Sequence, residues 1–286
     1  NRNRNIQFFI MTVLNINGKI LDLSTPKVIG ILNITNDSFF DRGKYLTEEK
    51  ILEKTKKMLK EGASIIDIGA QSSRPGADSI NSDVEKSNLL STVSLLKQYF
   101  PEIIISIDTY RSDVAKSCID IGAHIINDIS AGELDKNMFN VVAKLNIPYI
   151  MMHMQGIPKN MQKNPNYLNL IDDVFNYFKK KLKILTSKGA KQIIIDPGFG
   201  FGKTIKHNYK LINNLNKFKS LNVPILIGVS RKSMIYKLLS SEPKNALNGT
   251  TALHVIGLLN GANMLRVHDV KEANECIKIV NFAKNN

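Results

Sequence analysis

Residues 191–203 read KQIIIDPGFGFGK, and the order of residue types in this stretch sets the fold. Ile193, Ile194 and Ile195 run unbroken into the carboxyl group of Asp196, and a glycine-rich segment follows. A strand that is apolar on both faces belongs to a parallel sheet covered on both sides. The same arrangement recurs along the chain. KVIGIL runs into Asn33, SIIDIG carries Asp67, IIISI ends on Asp108, and HII ends on Asn127 and Asp128. PYIMM ends on His153, PILIGV on Ser230, Arg231 and Lys232, and ANML on Arg266 and His268. Turn-rich helical stretches separate these runs. They predict strands near 27–33, 64–69, 103–108, 124–127, 147–152, 191–196, 223–229 and 262–267. Strands alternating with helices, with polar groups at the carboxyl ends, describe an α/β protein of the (β/α)8 TIM-barrel type.

Ahead of the first strand, VLNINGKILDL alternates around Asn17 and Gly18, a turn dipeptide, and predicts an N-terminal β-hairpin that plugs the barrel floor. Helix signals Thr47 and Gly62 place the first barrel helix at about 47–62. The loops after the first two strands are long, and long loops at a barrel mouth are usually functional lids. The 286 residues slightly exceed the length of about 250 typical of this fold, so a single domain over 12–286 is expected, with residues 1–11 as an extension.

Composition narrows the function classes. Hydrophobic content of 43% with a mean hydropathy of −0.12 suits a full core. The net charge of +14 and isoelectric point near 9.6 invite a nucleic-acid reading. The lysines, however, are spread over helical stretches such as EEKILEKTKKMLKEG, as on solvated helix faces. With 7% aromatics and no Trp there is no stacking platform for bases, so no nucleic-acid partner is expected. The resulting positive field would still draw in an anionic substrate. No apolar run reaches the roughly 20 residues that cross a bilayer. NRNR followed by IQFFIMTVL imitates a signal sequence but lacks a small-residue cleavage site. Cys118 and Cys276 stand far apart without metal-ligand spacing and read as structural thiols, so a cytoplasmic location is expected.

The candidate site residues carry alternative readings. Asp196 beside glycines suits a bidentate acceptor for a ligand's N–H pair, or else a cap for the next helix. Ser230, Arg231, Lys232 and Ser233 fit an anion site at a helix start, or plain capping with solvated cations. Arg266 and His268 share one side of their strand and suit a diphosphate, although His268 could be structural. Asp108 and Asn127 each read alone as caps. On several strands at once, facing Asp196, they form a hydrogen-bonding frame for a heterocycle rich in N–H groups. Met152 reads as a soft packing face or as core. The histidines at 153, 207, 254 and 268 lack HExxH-type spacing, so no zinc site is expected.

Together GILNITNDSFFDRG, DIGAQSSRPGA, SIDTYRSDVA, IINDIS, MMHMQGIPKNMQ, IIDPGFGFGK, GVSRKSMI and GANMLRVHDV resemble the dihydropteroate synthase family of folate biosynthesis, over about residues 12–280. The resemblance implies a transferase that joins 6-hydroxymethyl-7,8-dihydropterin diphosphate to p-aminobenzoate with Mg2+ present. It implies that Asp108, Asn127, Asp196 and Lys232 bind the pterin, near Ile129, with Met152 and Arg266 on its two faces. Asn33, Arg74, Arg266 and His268 would hold the diphosphate, with Asn33 also on the metal. Ser73, Arg74, Pro75, Phe201 and Ser233 would shape the p-aminobenzoate pocket. Asp108, Lys232 and Arg266 would carry the catalysis, in an enzyme that is commonly a homodimer. The chain departs from the family at Asn36, usually proline, and at Arg42, usually glycine, and mildly at Ser73, usually threonine. The alternative readings are a pterin-binding methyltransferase domain and a non-catalytic pterin-binding protein.

Overall fold

Strands and helices alternate in the order that the apolar runs predict. The computed structural model describes residues 12–34, 44–71 and 80–286. A hairpin, β1 (Val13–Ile16) and β2 (Lys19–Asp22), turns at Asn17, whose φ of 49° suits the left-handed turn that Asn tolerates. The barrel follows as β3 (Lys27–Asn33), α1 (Lys44–Lys60), β4 (Ile65–Gly69), α2 (Ser82–Tyr99), β5 (Ile105–Asp108), α3 (Ser112–Asp120) and β6 (Ile125–Asp128). It continues through α4 (Met138–Leu145), β7 (Tyr149–Met152), α5 (Leu170–Ser187), β8 (Ile193–Asp196), α6 (Ile205–Asn213) and β9 (Leu226–Ile227). It ends with α7 (Ser233–Tyr236), α8 (Leu247–Leu259), β10 (Met264–Val267) and α9 (Val270–Asn285).

The eight barrel strands are parallel and pair in the order β8-β7-β6-β5-β4-β3-β10-β9. A parallel bridge from Ile195 to Ile225, with the Ile195 N–H donating to the Pro224 carbonyl at 3.0 Å, brings β8 to the start of β9 and closes the circle. Two expected boundaries move. The strand expected over 223–229 contracts to Leu226–Ile227: Pro224 has no N–H to give, and the Ile225 N–H goes to the Asn263 side chain at 3.0 Å. Helix α1 begins at Lys44 rather than near Thr47, because Lys, Tyr and Leu do not stop a helix.

Both faces of each strand are buried, which is why the runs are apolar throughout. Outward residues such as Val28, Ile66, Ile105, Ile126, Met151, Ile195 and Leu265 pack against the helices. Inward residues Ile29, Ile65, Ile125, Ile150, Ile194, Leu226 and Met264 form one layer at the amino ends of the strands, sealed by Leu14, Ile16 and Leu23 of the hairpin segment. The expected floor plug is therefore present. Among the described residues no helix is long and apolar enough to cross a membrane.

Leu14 is fully buried in this floor, so Leu14→Ala should cost about 2–5 kcal/mol of stability. Turnover per folded molecule should be unchanged, because the floor lies opposite the mouth. Denaturant unfolding checks the first statement and steady-state kinetics the second; an unmoved unfolding midpoint would remove the plug's role.

Candidate active site

Side chains alternate along a strand, so two residues up from the floor layer the chain again faces the barrel interior. There the residue types change. Ile65 gives way to Asp67, Ile125 to Asn127, Ile150 to Met152, Ile194 to Asp196, Leu226 to Gly228 and Met264 to Arg266. Asp108 stands one step higher on its own strand, in register with Asn127.

Arg266 joins this layer. Its Nε donates to Asp67 Oδ2 at 2.6 Å and its Nη2 donates to Asp108 Oδ2 at 2.7 Å. The Asn127 amide nitrogen donates to the same Asp67 oxygen at 3.0 Å. Asp67 is fully buried, and its other oxygen has no partner among the described residues. Burial opposes the guanidinium's charge, but the carboxylates of Asp67 and Asp108 outweigh it and hold Arg266 firmly protonated. Burial pushes the Asp108 carboxyl up to about 7, against the pull of Arg266 and with Asp67 adding to the rise.

Across the mouth, Asp196 is not a helix cap: Thr204 caps α6. Asp196 Oδ1 accepts from the Gly198 N–H at 2.8 Å, which steadies the carboxylate within its own turn. Burial raises its pKa, with Lys232 working in the opposite sense. Lys232 Nζ donates to the Phe199 carbonyl at 2.6 Å and lies 4.7 Å from the centre of the Phe201 ring. Burial lowers the Lys232 ammonium to about 8, and Asp196 limits the fall. A Cβ on Gly228 would lie 3.7 Å from Lys232 Nζ and 3.9 Å from both Asp196 Oδ2 and the Arg266 Cβ, so glycine leaves open a space that these three residues surround.

An apolar cluster lines the mouth beside the charged layer. Ile129, Met152 and Phe201 come together in it with Met161, Met154 and Tyr110. Asn33 ends β3, and a Cβ on Gly69 would lie 3.6 Å from Asn33 Oδ1 and 3.5 Å from Asp108 Oδ2, so the two oxygens flank one gap. Ser233 opens α7 directly after Lys232. Ser73, Arg74 and Pro75, with Asn36 and Arg42, lie outside the described residues.

The segment from Ser230 to Ser233 differs from the anion site that its composition suggests. Helix α7 has four residues, too few to present a helical N-terminus. Arg231 is occupied: its Nε and Nη2 grip both oxygens of Asp269 at 2.8 Å, and its Nη1 donates to the Pro243 and Lys244 carbonyls at 3.1 and 2.7 Å. These bonds offset a left-handed backbone at Arg231, φ 54°. Ser230 Oγ accepts from the His268 N–H at 3.2 Å and meets its Nδ1 at 3.1 Å. Desolvation, reinforced by Arg266, lowers His268 to about 4, although the residue as a whole is exposed.

Sequence reasoning did not select Asp67, Tyr110 or Met161 as site residues. For Asp67 a signal existed, since a carboxylate inside the run IIDIG must have a buried partner. Tyr110 and Met161 carried none, because their loops are placed only by the closed barrel.

Comparison with known proteins identifies the family. The pterin binding enzyme family matches residues 29–268. A dihydropteroate synthase of Haemophilus influenzae is 41% identical over 265 residues, covering 92% of this chain and 96% of that protein. One from Bacillus subtilis is 38% identical over 260 residues, covering 90% of this chain and 88% of that protein. Among solved structures, a Yersinia pestis dihydropteroate synthase with a sulfonamide drug superposes with a TM-score of 0.89 at 39% identity. It covers 96% of this chain and 100% of its own. A Xanthomonas albilineans dihydropteroate synthase with 4-aminobenzoic acid gives 0.88 at 32% identity, covering 96% and 99%. With a matching barrel, a family model over residues 29–268 and relatives that share nearly its whole length, the chain belongs to the pterin binding enzyme family, among the dihydropteroate synthases.

Proposed function

We propose that the site condenses 6-hydroxymethyl-7,8-dihydropterin diphosphate with p-aminobenzoate to give 7,8-dihydropteroate and diphosphate. The observation that carries this reading is the inner layer in which Arg266, tied to Asp67 and Asp108, faces Asp196 and Lys232 across Gly228. Asp196 and Asn127 supply the acceptors and donors that a pterin edge requires, and Met152 offers it a soft apolar face. The solved relative that holds 4-aminobenzoic acid supports an aminobenzoate as second substrate.

The chemistry follows from the charges. The C–O bond to diphosphate breaks as the aniline nitrogen forms a C–N bond to the same methylene carbon, and the nitrogen's surplus proton passes to water. Positive charge builds on the methylene carbon, where the Asp108 carboxylate stabilises it. Arg266 takes up negative charge of the leaving diphosphate, and His268, neutral with its pKa lowered to about 4, offers it a hydrogen-bond donor. No protein nucleophile is required. A methyltransferase substrate would carry no diphosphate, so this cationic side would have no task there.

A divalent ion belongs with the diphosphate. Among the described residues no three His, Cys, Asp or Glu side chains converge as a metal cage. Asn33 supplies a single neutral oxygen at the mouth, which fits Mg2+, an ion that keeps several waters and binds chiefly through substrate phosphates. Held by Asn33, the ion would neutralise diphosphate charge.

We also place the protein in the cytoplasm as a homodimer. Cys118 and Cys276 are buried free thiols, which suits a reducing compartment. On neighbouring helices α8 and α9, joined by Lys284 Nζ donating to the Leu258 carbonyl at 3.0 Å, Ile256, Leu259, Ile279 and Phe282 are all exposed. Such an apolar face marks an interaction surface.

Three outcomes test the proposal. In an assay that follows dihydropteroate, product should form only with both substrates, vanish with EDTA and return with Mg2+; turnover indifferent to chelation would contradict the metal. The pH profile of kcat/KM should be bell-shaped. Activity should rise as Asp108 ionises near 7 and fall as Lys232 loses its proton above about 8, whereas a flat profile would remove both residues from the rate-determining charge balance. Sedimentation velocity should find a dimer that Phe282→Glu converts to monomer; a monomeric parent protein would contradict the interface.

A further inference from the structure

Lys203 closes the glycine-rich segment 197–203, and its ammonium turns back into that segment. It is buried without a carboxylate in hydrogen-bond contact. Instead Nζ donates to the carbonyls of Gly198 and Phe201, both at 3.0 Å, and to that of His153 at 3.3 Å, and meets His153 Nδ1 at 2.9 Å. Carbonyls only accept, so this cage requires the ammonium's protons. Burial lowers Lys203 to about 7, with Asp196 acting in its favour and Lys232 against it.

The carbonyls of Phe199, Gly200 and Gly202 are held in the same manner. Lys232 donates to that of Phe199 at 2.6 Å, the Gln162 amide to that of Gly200, and the Tyr167 hydroxyl to that of Gly202 at 2.7 Å. Every carbonyl from 198 to 202 therefore takes a side-chain donor, and Lys203 alone serves two of them while also reaching the loop after β7. Its reach depends on close approach: a Cβ on Gly198 would lie 1.9 Å from the His153 carbonyl oxygen. This clamp has Asp196 at one end and Phe201, beneath the Lys232 ammonium, near the other.

We propose that Lys203 is a positioning residue that sets Asp196 and Lys232 for the pterin and Phe201 for the aminobenzoate by clamping the β8 loop to the β7 loop. The inference rests on the reaction proposed above. Lys203→Met keeps the stem's bulk and removes the donors. In the folded variant, calorimetric affinity for the pterin diphosphate should fall and the KM for p-aminobenzoate should rise, lowering kcat/KM about 100-fold, as expected when reacting groups shift by about 1 Å. For Lys203→Ala, added n-propylammonium should restore KM, since it replaces the missing carbons and ammonium. A merely structural lysine would lower the melting temperature and leave both substrate constants of the folded protein unchanged, and that result would overturn the inference. Should neither variant fold, Tyr167→Phe removes one donor from the same clamp and should raise the p-aminobenzoate KM about 2- to 10-fold, the loss of one neutral hydrogen bond; an unchanged KM would count against the clamp. Pterin affinity is read without turnover, so a parent protein that binds the pterin diphosphate but forms no product contradicts the reaction and leaves the clamp to be judged by binding.

Discussion

The Arg266 guanidinium is the shared counter-charge of Asp67 and Asp108, and the site's geometry depends on that sharing. Removing one partner from a buried ion pair leaves an uncompensated charge at a cost of about 3–5 kcal/mol. Arg266 therefore cannot swing toward a substrate without stranding Asp67, which is fully buried and holds Asn127 as well. The cation stays where the strands place it, and in the proposed reaction it would meet the diphosphate already oriented. Fixed charge aimed at a developing charge requires no reorganisation during the reaction, which makes a protein site more effective than water.

This arrangement stands on a dry floor. One layer down, roughly 6.6 Å along each strand, the inward residues are isoleucine, leucine and methionine sealed by the hairpin. An apolar layer beneath a polar one lowers the local dielectric, so ion pairs strengthen and isolated charges become costly. The raised Asp108 and the lowered Lys232 are two consequences of the same burial. Stability is concentrated at one end of the barrel and chemistry at the other, and the period-two alternation of a strand connects them.

The rim is held by a different device. Loops have no ladder to satisfy their backbone, and here long side chains supply the bonds: Lys203, Gln162 and Tyr167 around the β8 loop, and Arg231 around the segment that follows β9. Lys203, Gln162 and Tyr167 bind backbone between Asp196 and Lys203, and Arg231 ties the Pro243 and Lys244 carbonyls to Asp269. Basic residues that look like ligand contacts in a linear reading thus divide into two kinds. Lys232 and Arg266 face the cavity, Lys232 while also holding the Phe199 carbonyl, whereas Lys203 and Arg231 only hold the frame.

The barrel was legible in the sequence because both-face burial writes an unbroken apolar run for every strand, and the residue that ends each run could be named: Asn33, Asp108, Asn127, Asp196, Lys232 and Arg266. Local chemistry also placed the hairpin, since Asn17 and Gly18 permit few other turns. What the linear order does not contain is which of these groups pair. Arg266 reaches Asp67 across 199 residues and Asp108 across 158, distances in sequence that only closure of the sheet brings to hydrogen-bond length. The two-residue β9, the occupied Arg231 and the caged Lys203 were likewise decided by tertiary structure. In each, a side chain took over a backbone bond, and nothing local distinguishes a lysine that meets a ligand from one that meets a carbonyl. Residue type and spacing determined the strands and the ends that carry chemistry; closure of the barrel decided the charge partners, because electrostatic pairing depends on distance in space and not on position in the chain.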